Sequence, residues 1–407
     1  MEKINGGQRE ILCWAKNLEE CTSAQAINLA ELPMLVGHIA LMPDAHLGMG
    51  MPIGGVIALK DAVVPNSVGV DCGCGVLSCE TTCKETLSKE ILEEIVHSIQ
   101  RSIPMGFRHN QEPCEDGEMP EIKYDDCSYE ENPNGVKATN VSDFLLTLYK
   151  DAKYALGSCG GGNHFIELQT DETNTLHIMI HSGSRNLGKK VCDHYNKLAE
   201  EFHTLWHIQH PEKLAWLPTD SEEGMNYIMD MKYCVEFAYR NRKKMLDVIK
   251  SQLKYILNKH KIEIDFLSEL NIHHNYANLE HHFGQDVWVH RKGAIQAYKD
   301  QLGIIPGSMG TNSYIVMGLG NPASFCSSSH GSGRISSRTK YNETHTLEQA
   351  EKELENVVHS KFEKNRRGIM DISEAPSAYK DIEEVMANQT DLVKIVKTLT
   401  PIACIKG

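Results

Sequence analysis

The stretch HIALMPDAHLGMGMPIGGVIALKDAVVPNSVGVDCGCGVLSC, residues 38–79, alternates short apolar runs with turns rich in glycine and proline. Short apolar runs bounded by such turns predict buried strands that are joined by tight loops. The chain around this stretch adds helical patterns, but strands and helices do not alternate regularly. We therefore predict an α+β fold of packed layers rather than a doubly wound parallel sheet.

Outside this stretch, the spacing of apolar residues predicts further elements of both kinds. Helical spacing occurs over residues 86–102, 141–156, 187–259 with an interruption near Pro218, and 346–366. Strands are predicted over residues 176–184, 286–295 and 311–319, and a helix followed by a strand over 378–405. Ser88 and Thr346 stand where an N-cap side chain would begin a helix. The acidic segment over about 109–135, punctuated by proline and glycine, predicts a surface excursion.

The overall charge of the chain restricts its partners. The 407 residues carry 41 Lys and Arg against 55 Asp and Glu, a formal net charge of −14. This balance excludes a protein that binds nucleic acid mainly by neutralising phosphates over its whole surface. It is compatible with a local basic strip, which we predict from Arg185, Lys189, Lys190, Arg291, Lys292, Arg334, Arg338 and Lys340.

The cysteine count and the apolar runs indicate the compartment. The chain has 13 cysteines at irregular spacing, which predicts reduced thiols, with a metal ligand among them, rather than a disulfide framework. No apolar run reaches the ~20 residues of a membrane-spanning helix. The first residues lack the pattern of a secretory signal. We expect a cytoplasmic protein without a membrane partner.

A glycine-crowded turn, VGVDCGCGV at residues 68–76, carries the first candidate metal ligands, Asp71 and Cys74. Carboxylate, thiolate and imidazole groups together suit Mn, Fe, Co or Zn. Taken alone, the pair is better explained by a turn aspartate and a buried cysteine. The spacing of Cys72, Cys74, Cys79 and Cys83 does not match that of a structural zinc site.

Histidines recur beside turns rich in glycine or asparagine. They occur in the segments GSCGGGNHFIE at 157–167, HSGSRNLG at 181–188 and NIHHNYANLEHH at 271–282. A single histidine in such a place is more often structural than a ligand, but several together favour a shared metal site. Glycine-rich loops also allow the backbone to approach a phosphate closely. The segment HGSGR at 330–334 is typical of a phosphate cradle, although an ordinary loop explains it as well.

Taken in order, nine motifs resemble the RtcB family of GTP-dependent RNA-splicing ligases. They run from about residue 39 to residue 407: VGVDCGCG, GGGNHFIE, HSGSR, HHN, RKGA, IPGSMG, SHGSGR, AYKD and the terminal KG. The resemblance implies an α+β sandwich that forms one ligase domain over residues 1–407, with a deep central metal-bearing cleft. It implies an enzyme that joins RNA 3′-phosphate or 2′,3′-cyclic phosphate ends to 5′-hydroxyl ends, in tRNA splicing or RNA repair.

The resemblance also implies cofactors and residue roles. GTP and two Mn²⁺ ions would serve the reaction, which passes through GMP bound to His330 and then through an RNA 3′ end capped with GMP. Asp71, Cys74 and His164 match the ligands of one ion, and Cys74, His181 and His274 those of the second. Arg185 matches a residue that holds RNA phosphate. The nucleotide contacts match Asn163, His164, Glu167, His274, Asn275, Pro306, Gly307, Ser308, Met309, Ser313, His330, Gly331, Ser332, Gly333, Tyr379 and Lys406.

Two other functions remain open on these residues. A metal-dependent phosphoesterase of RNA ends would use the same ligands without nucleotide transfer, and its activity would survive His330→Ala. A non-catalytic protein that binds RNA ends would keep its function in Cys74→Ala. For the ligase we expect a monomer, with RNA ends and GTP as its partners.

Overall fold

The computed structural model describes residues 1–4, 6–123, 140–365 and 368–407. The part of the predicted acidic excursion beyond residue 123 lies outside the described residues. The described part, 109–123, is irregular except for a 3₁₀ turn at Asp116–Glu118, and most of its residues are exposed. Cys114 and Met119 are the exceptions to this exposure that belong to a buried core cluster. These two side chains anchor the segment to the body of the protein.

The strands are β1 Glu2–Ile4, β2 Ile11–Cys13, β3 Ile39–His46, β4 Ile53–Leu59, β5 Ala62–Val63, β6 Gly75–Thr81, β7 Phe165–Thr170, β8 Leu176–Ser182, β9 Leu217–Pro218, β10 Phe266–His273, β11 Asn275–His282, β12 Gln285–Lys292, β13 Ala294–Gln296, β14 Leu302–Ile305, β15 Ser313–Gly318, β16 Ser327–Ser329, β17 Val358–His359 and β18 Val393–Lys406. The α-helices are α1 Glu20–Leu29, α2 Pro65–Val68, α3 Lys89–Ser102, α4 Asp143–Ala155, α5 Leu187–Leu205, α6 Glu222–Lys259, α7 Arg338–Thr344, α8 Leu347–Glu353 and α9 Ile382–Ala387.

Two large sheets organise these elements. The smaller has the order β1-β2-β3-β4-β12-β11, and the larger has the order β10-β6-β8-β7-β18-β15-β14, with β17 beside β18. Their pairings are antiparallel except for β2 with β3 and β17 with β18. Helices and largely antiparallel sheets are thus mixed without βαβ alternation, which confirms the predicted α+β class.

The opening stretch of the sequence forms the centre of the smaller sheet. Alternate residues of a strand point to opposite faces, so a strand that is buried on both sides feeds two cores. Ala40 and Met42 of β3 pack in one apolar cluster together with residues of β12 and β15, whereas Ile39 and Leu41 pack in another with residues of α1. Because both faces of β3 are buried, residues that point to either face are apolar, and the first part of the strand is an apolar run in the sequence.

Helices α3 and α6 cover one face of the larger sheet. Leu92 and Ile95 of α3 and Leu246 of α6 belong to one buried cluster with residues of β6, β7 and β8. Ser88 accepts a hydrogen bond from the backbone N–H of Ile91, which confirms the predicted N-cap of α3. Each fully buried aliphatic side chain of this kind contributes roughly 1.5–3 kcal/mol.

The long helical region predicted over 187–259 is confirmed as α5 and α6, with the break near Pro218. The helix predicted over 346–366 is too long, because α8 ends at Glu353. The β-branched pair Val357 and Val358 favours extended backbone, and β17 pairs with β18 there. No helix in the part of the chain that the structure describes combines the length and the apolar character needed to cross a membrane.

Candidate active site

Neighbouring strands of the larger sheet bring the candidate metal ligands together. Cys74 precedes β6, and His181 lies near the end of β8, whose register pairs it with Val76. His164 directly precedes β7, in which Phe165 pairs with His181. His274 follows β10, whose last residue pairs with Gly75. The hydrogen-bond ladder of the sheet therefore fixes the positions of four of these side chains.

The thiol of Cys74 lies at the centre of this group. Its Sγ is 3.2 Å from Nε2 of His164 and 3.3 Å from Nε2 of His181. Nε2 of His164 is also 3.3 Å from Oδ2 of Asp71. Potential ligand atoms of Asp71, Cys74 and His164 lie within 4.8 Å of one another, and so do those of Cys74, His181 and His274. Cys74 is thus shared by two sets of three side chains.

Close backbone approaches shape the turn that carries Asp71 and Cys74. Gly73 has a φ of +78°, and a Cβ on it would lie 2.6 Å from the Cα of Val235 in α6. A Cβ on Gly183 would lie 2.0 Å from Oδ2 of Asp71. Only glycine fits at either position. The glycines noted in the sequence therefore allow α6 and the loop after β8 to pack directly against the ligands.

The protonation states of Asp71, His181 and His274 suit a cation, whereas the Cys74 thiol must lose its proton to bind one. Burial raises the pKa of Asp71, but hydrogen bonds from His164 and Ser184 outweigh it and bring the pKa to about 2. Burial raises the pKa of the Cys74 thiol well above its ordinary value, and the Asp71 carboxylate raises it further. Burial also lowers the pKa of His181 and that of His274 well below the usual range. The two imidazoles are therefore neutral at pH 7, as metal ligands must be.

The donor set fits transition-metal ions. It combines one thiol, three imidazoles and one carboxylate, all buried or half-buried. Nδ1 of His164 and Nδ1 of His274 are buried without a hydrogen-bond partner among the described residues. Soft sulfur and imidazole donors select transition metals over Mg²⁺ or Ca²⁺.

His330 stands beside this group, directly after β16. Its ring centroid is 4.7 Å from that of His274. Nδ1 of His330 is 2.6 Å from Oδ2 of Asp44, and the backbone N–H of His330 donates to the same oxygen. Asp44 lies in β3 and is fully buried. Sequence reasoning missed Asp44, although a carboxylate within the apolar run of β3 was a signal.

These side chains line one cavity of about 720 Å³. All five candidate metal ligands and His330 contribute to its wall. The predicted nucleotide contacts that also line it are Asn163, Asn275, Pro306, Gly307, Ser308, Met309, Gly331, Ser332, Gly333, Tyr379 and Lys406. The cavity thus gathers residues from widely separated segments of the chain.

Two predicted nucleotide contacts, Glu167 and Ser313, are buried and do not line this cavity. Gln169 Nε2 links them, since it donates to Oε2 of Glu167 at 2.8 Å and to Oγ of Ser313 at 3.0 Å. Ser313 Oγ in turn accepts the backbone N–H of Gly307, which belongs to the cavity wall. Burial raises the pKa of Glu167 to about 7.

Arg185 lines a neighbouring cavity of about 320 Å³ instead. Its Nε donates to Oγ of Ser158 at 2.9 Å, and its Nη2 donates to the carbonyl of Gly106 at 2.6 Å. Lys190 and His109 line the same cavity. Arg185 therefore lines a separate basic recess, but its guanidinium lies close to the metal-ligand group, since a Cβ on Gly160 would be 1.9 Å from Nδ1 of His164 and 2.9 Å from Nη1 of Arg185.

The predicted basic strip is wrong in part. Arg291 is fully buried and pairs with Glu280, and Nζ of Lys292 points inward to the carbonyl of Asn66. Two other members of the predicted strip, Arg334 and Arg338, do lie at the cavity. There they donate to the buried carboxylate of Glu374 together with Lys406 and the Tyr379 hydroxyl. Sequence reasoning missed Glu374, because all of its partners except Tyr379 lie 32 or more positions away in the chain.

Comparison with known proteins gives one family. A family model described as tRNA-splicing ligase RtcB matches residues 25–407. The RNA-splicing ligase RtcB of Escherichia coli is 38% identical over 403 residues, which cover 97% of this chain and 96% of that protein. The tRNA-splicing ligase RtcB of Nanoarchaeum equitans is 31% identical, covering 96% and 93%. The RNA-splicing ligase RtcB of Mycobacterium tuberculosis is also 31% identical, covering 94% and 100%.

Proposed function

The chain belongs to the RtcB family of RNA-splicing ligases, and from that membership we propose that it joins RNA 3′-phosphate or 2′,3′-cyclic phosphate ends to 5′-hydroxyl ends. The proposed reaction consumes GTP, requires two Mn²⁺ ions and serves tRNA splicing or RNA repair. Residues 1–407 form one ligase domain in this proposal. In this proposal the protein acts as a cytoplasmic monomer.

One observation carries the proposal. Two metal-ligand sets that share Cys74 lie in the same cavity as His330, the ring of which is 4.7 Å from the ring of His274. A paired cation site beside a nucleophilic side chain is the arrangement that phosphoryl transfer needs.

The metal centre is assigned to the five clustered side chains. Asp71, Cys74 and His164 would hold one ion, and Cys74, His181 and His274 would hold the other. Bound there, Mn²⁺ supplies neutralisation of charge on the phosphoryl oxygens. The protein itself keeps the imidazoles of His181 and His274 neutral through burial, which lowers their pKa values. It orients Asp71 through Ser184, whose N–H and Oγ–H donate to Oδ1.

His330 is the nucleophile of the first step. Its Nδ1–H donates to Asp44, so the lone pair is on Nε2. Nε2 attacks the α-phosphorus of GTP, a nitrogen–phosphorus bond forms, and pyrophosphate leaves. The carboxylate of Asp44 stabilises the positive charge that the imidazole acquires during attack.

The later steps transfer GMP and then release it. A 2′,3′-cyclic phosphate end is first hydrolysed, so that water breaks the bond from phosphorus to the 2′-oxygen and leaves a 3′-phosphate. An oxygen of the RNA 3′-phosphate then attacks the phosphorus of the GMP on His330, the bond to His330 breaks, and the RNA carries a 3′-pp-5′-G end. The 5′-hydroxyl of the second RNA then attacks the RNA 3′-phosphorus, a phosphodiester bond forms, and GMP leaves. Arg185, in its basic recess, is proposed to hold a phosphate of the RNA.

The nucleotide-binding assignment covers the cavity wall and the layer behind it. Proposed contacts are Asn163, His164, Glu167, His274, Asn275, Pro306, Gly307, Ser308, Met309, Ser313, His330, Gly331, Ser332, Gly333, Tyr379 and Lys406. Glu167 would accept the N1–H and N2–H of guanine, a pair of donors that adenine lacks. Its side chain receives a hydrogen bond from the neutral amide of Gln169, and none of the described residues forms an ion pair with it, which supports a carboxylate that is completed by the ligand.

A labelling experiment tests the proposal. The protein is incubated with Mn²⁺ and GTP radiolabelled at the α-phosphate, and covalent label is measured after denaturation. We expect label on the wild-type chain, none on His330→Ala, and wild-type labelling of His281→Ala, an exposed histidine outside the cavity. Absence of label on the wild type, or equal label on His330→Ala, refutes the proposal. Opening of a cyclic phosphate by His330→Ala without GTP would instead identify a phosphoesterase.

A further inference from the structure

The middle of helix α6 lies against the underside of the loops that carry the candidate ligands. Asn241 and Arg242 are both fully buried there. Gly73, next to Cys74, packs against the α6 backbone at Val235 so closely that a side chain would not fit. Neither Asn241 nor Arg242 belongs to the motifs that suggested the function.

The guanidinium of Arg242 binds three segments at once. Nη1 donates to the carbonyl of Gly73 at 3.0 Å and to the carbonyl of Ser182 at 2.8 Å. Nε donates to Oδ1 of Asn271 at 2.7 Å. Gly73 precedes Cys74 in the chain, Ser182 follows His181, and Asn271 lies in the strand that leads to His274. One side chain therefore ties the segments of three ligands to a single helix.

The side-chain amide of Asn241 binds the fourth ligand-bearing segment, the loop that leads to His164. Its Oδ1 accepts the backbone N–H groups of Gly157 at 2.7 Å and Ser158 at 3.1 Å. Its Nδ2 donates to the carbonyls of Ser158 at 3.0 Å and Gly183 at 3.2 Å. Gly157 begins the glycine-rich loop that ends at His164. The Asn241–Arg242 pair thus touches every segment that supplies a candidate ligand.

The charge of Arg242 has no partner of its own. Among the described residues no carboxylate lies within ion-pair distance of it, and its Nη2 is buried without a hydrogen-bond partner. The other fully buried arginine, Arg291, pairs directly with Glu280. Burying a charge without a paired group is unfavourable, so its presence calls for a nearby anion. Burial lowers the pKa of Arg242 to about 10, while Cys74 and Asp71 raise it, so the side chain stays charged at pH 7.

We propose that Arg242 is a positioning residue for the metal centre. Its guanidinium holds the carbonyls of Gly73 and Ser182 so that Cys74 and His181 face one cation. Its positive charge lies close to the anionic ligands. Asn241 holds the His164 loop in the same way. This inference rests on the metal centre assigned under the proposed function. Groups that orient metal ligands from behind typically change metal affinity by 10–100-fold when they are replaced.

Cobalt binding to the full-length protein tests this role without RNA or GTP. Co²⁺ is titrated into wild type, Arg242→Lys and Arg240→Lys, and the thiolate-to-cobalt charge-transfer absorbance is recorded. Arg240 is a matched control, because it lies two residues earlier on α6 and binds Glu236 and the carbonyl of Met119 instead. We expect Arg242→Lys to raise the dissociation constant about tenfold or more and to weaken the charge-transfer band per bound ion. Arg240→Lys should bind as wild type does.

The outcomes separate this inference from the proposed function. If wild type shows no charge-transfer band, or the band survives Cys74→Ala, the metal centre itself is refuted and this inference with it. If the band is present and depends on Cys74, wild-type affinity and band intensity in folded Arg242→Lys overturn the positioning role alone. If circular dichroism shows that Arg242→Lys does not fold, Asn271→Ala must weaken Co²⁺ binding, and unchanged binding in that variant overturns the role. Asn271→Ala removes the acceptor of Arg242 Nε together with the hydrogen bond from Asn271 Nδ2 to the carbonyl of Tyr239.

Discussion

Oδ2 of Asp44 lies 2.6 Å from Nδ1 of His330 and also accepts the backbone N–H of His330 at 3.2 Å. One buried carboxylate oxygen therefore fixes both the ring and the backbone of a residue 286 positions away. The hydrogen bond sets the tautomer, because Nδ1 must carry the proton that it donates. The nucleophilic lone pair of the proposed reaction is then held on Nε2.

Asp44→Asn should slow formation of the His330–GMP bond without removing the metal centre. An asparagine amide can donate to Nδ1 and favour the tautomer that has its proton on Nε2, the wrong nitrogen for attack. A comparable change of tautomer in a catalytic histidine costs about 10⁴-fold in rate, so we expect a loss on the order of 10²–10⁴-fold. Single-turnover labelling with GTP measures this rate.

Two observations make this result specific. Co²⁺ binding in Asp44→Asn should match wild type, since Asp44 is not among the clustered ligands. Asp391→Asn is the matched control, because Asp391 accepts the indole N–H of Trp14 and lies outside the cavity wall. Wild-type labelling by Asp44→Asn would show that the carboxylate does not govern the nucleophile.

Glu167→Gln should change both nucleotide choice and the pH dependence of stability. A glutamine cannot accept both N–H groups of guanine, so KM for GTP should rise roughly 10–100-fold, the usual effect of losing a hydrogen bond to a charged group. Labelling over a range of GTP concentrations gives KM and kcat separately. An unchanged KM would remove Glu167 from the nucleotide site.

The pH effect follows from the direction of the pKa shift. Burial raises the folded-state pKa of Glu167 from 4.5 to about 7, so the folded chain binds more protons than the unfolded chain between these values. Stability from this group is fully present below pH 4.5 and is lost as the pH rises through 7. Replacement by glutamine removes that loss. The Tm of Glu167→Gln relative to wild type should therefore rise between pH 5 and about pH 8.

Local sequence signals predicted much of the fold. Ser88 caps α3 as expected, and the apolar run of β3 reflects burial against two cores. The overlong helix over 346–366 arose because charged residues continue on the exposed side after α8 ends at Glu353. Strand pairing by Val358 decides that boundary, and such pairing depends on residues far away in the chain.

In the candidate site too, local sequence signals indicate some residues, whereas others depend on contacts between distant parts of the chain. Motifs drew attention to side chains that line the cavity, such as Cys74 and His330, since glycine-rich turns mark them in the sequence. Asp44, Glu374 and Arg242 carry no such mark, because each acts through partners that only folding brings near. Arg291 shows the converse error: a basic residue beside a motif is fully buried against Glu280.

Metal-dependent stability should require Cys74 and not its neighbour Cys72. Cys72 is fully buried, and its Sγ approaches the carbonyls of Gly69 and Gly188 at 3.7 and 3.9 Å rather than the ligand group. A ligand that binds only the folded state adds about 2.7 kcal/mol when it is present at 100 times its Kd. Mn²⁺ should therefore raise Tm in wild type and Cys72→Ala, and a chelator should reverse the rise. Cys74→Ala should show neither change, and equal responses of the two variants would contradict a bridging thiolate.

A single methyl group at Gly183 should disable the metal centre. The added Cβ would lie 2.0 Å from Oδ2 of Asp71, so this carboxylate must move away from His164. Because Asp71 is displaced from its position as a ligand, Co²⁺ binding should weaken at least about tenfold in Gly183→Ala. Gly117→Ala is the matched control, because nothing lies within 4 Å of a Cβ built there. Calorimetric titration of both variants measures the difference, and wild-type affinity in folded Gly183→Ala would exclude Asp71 from the ligand set.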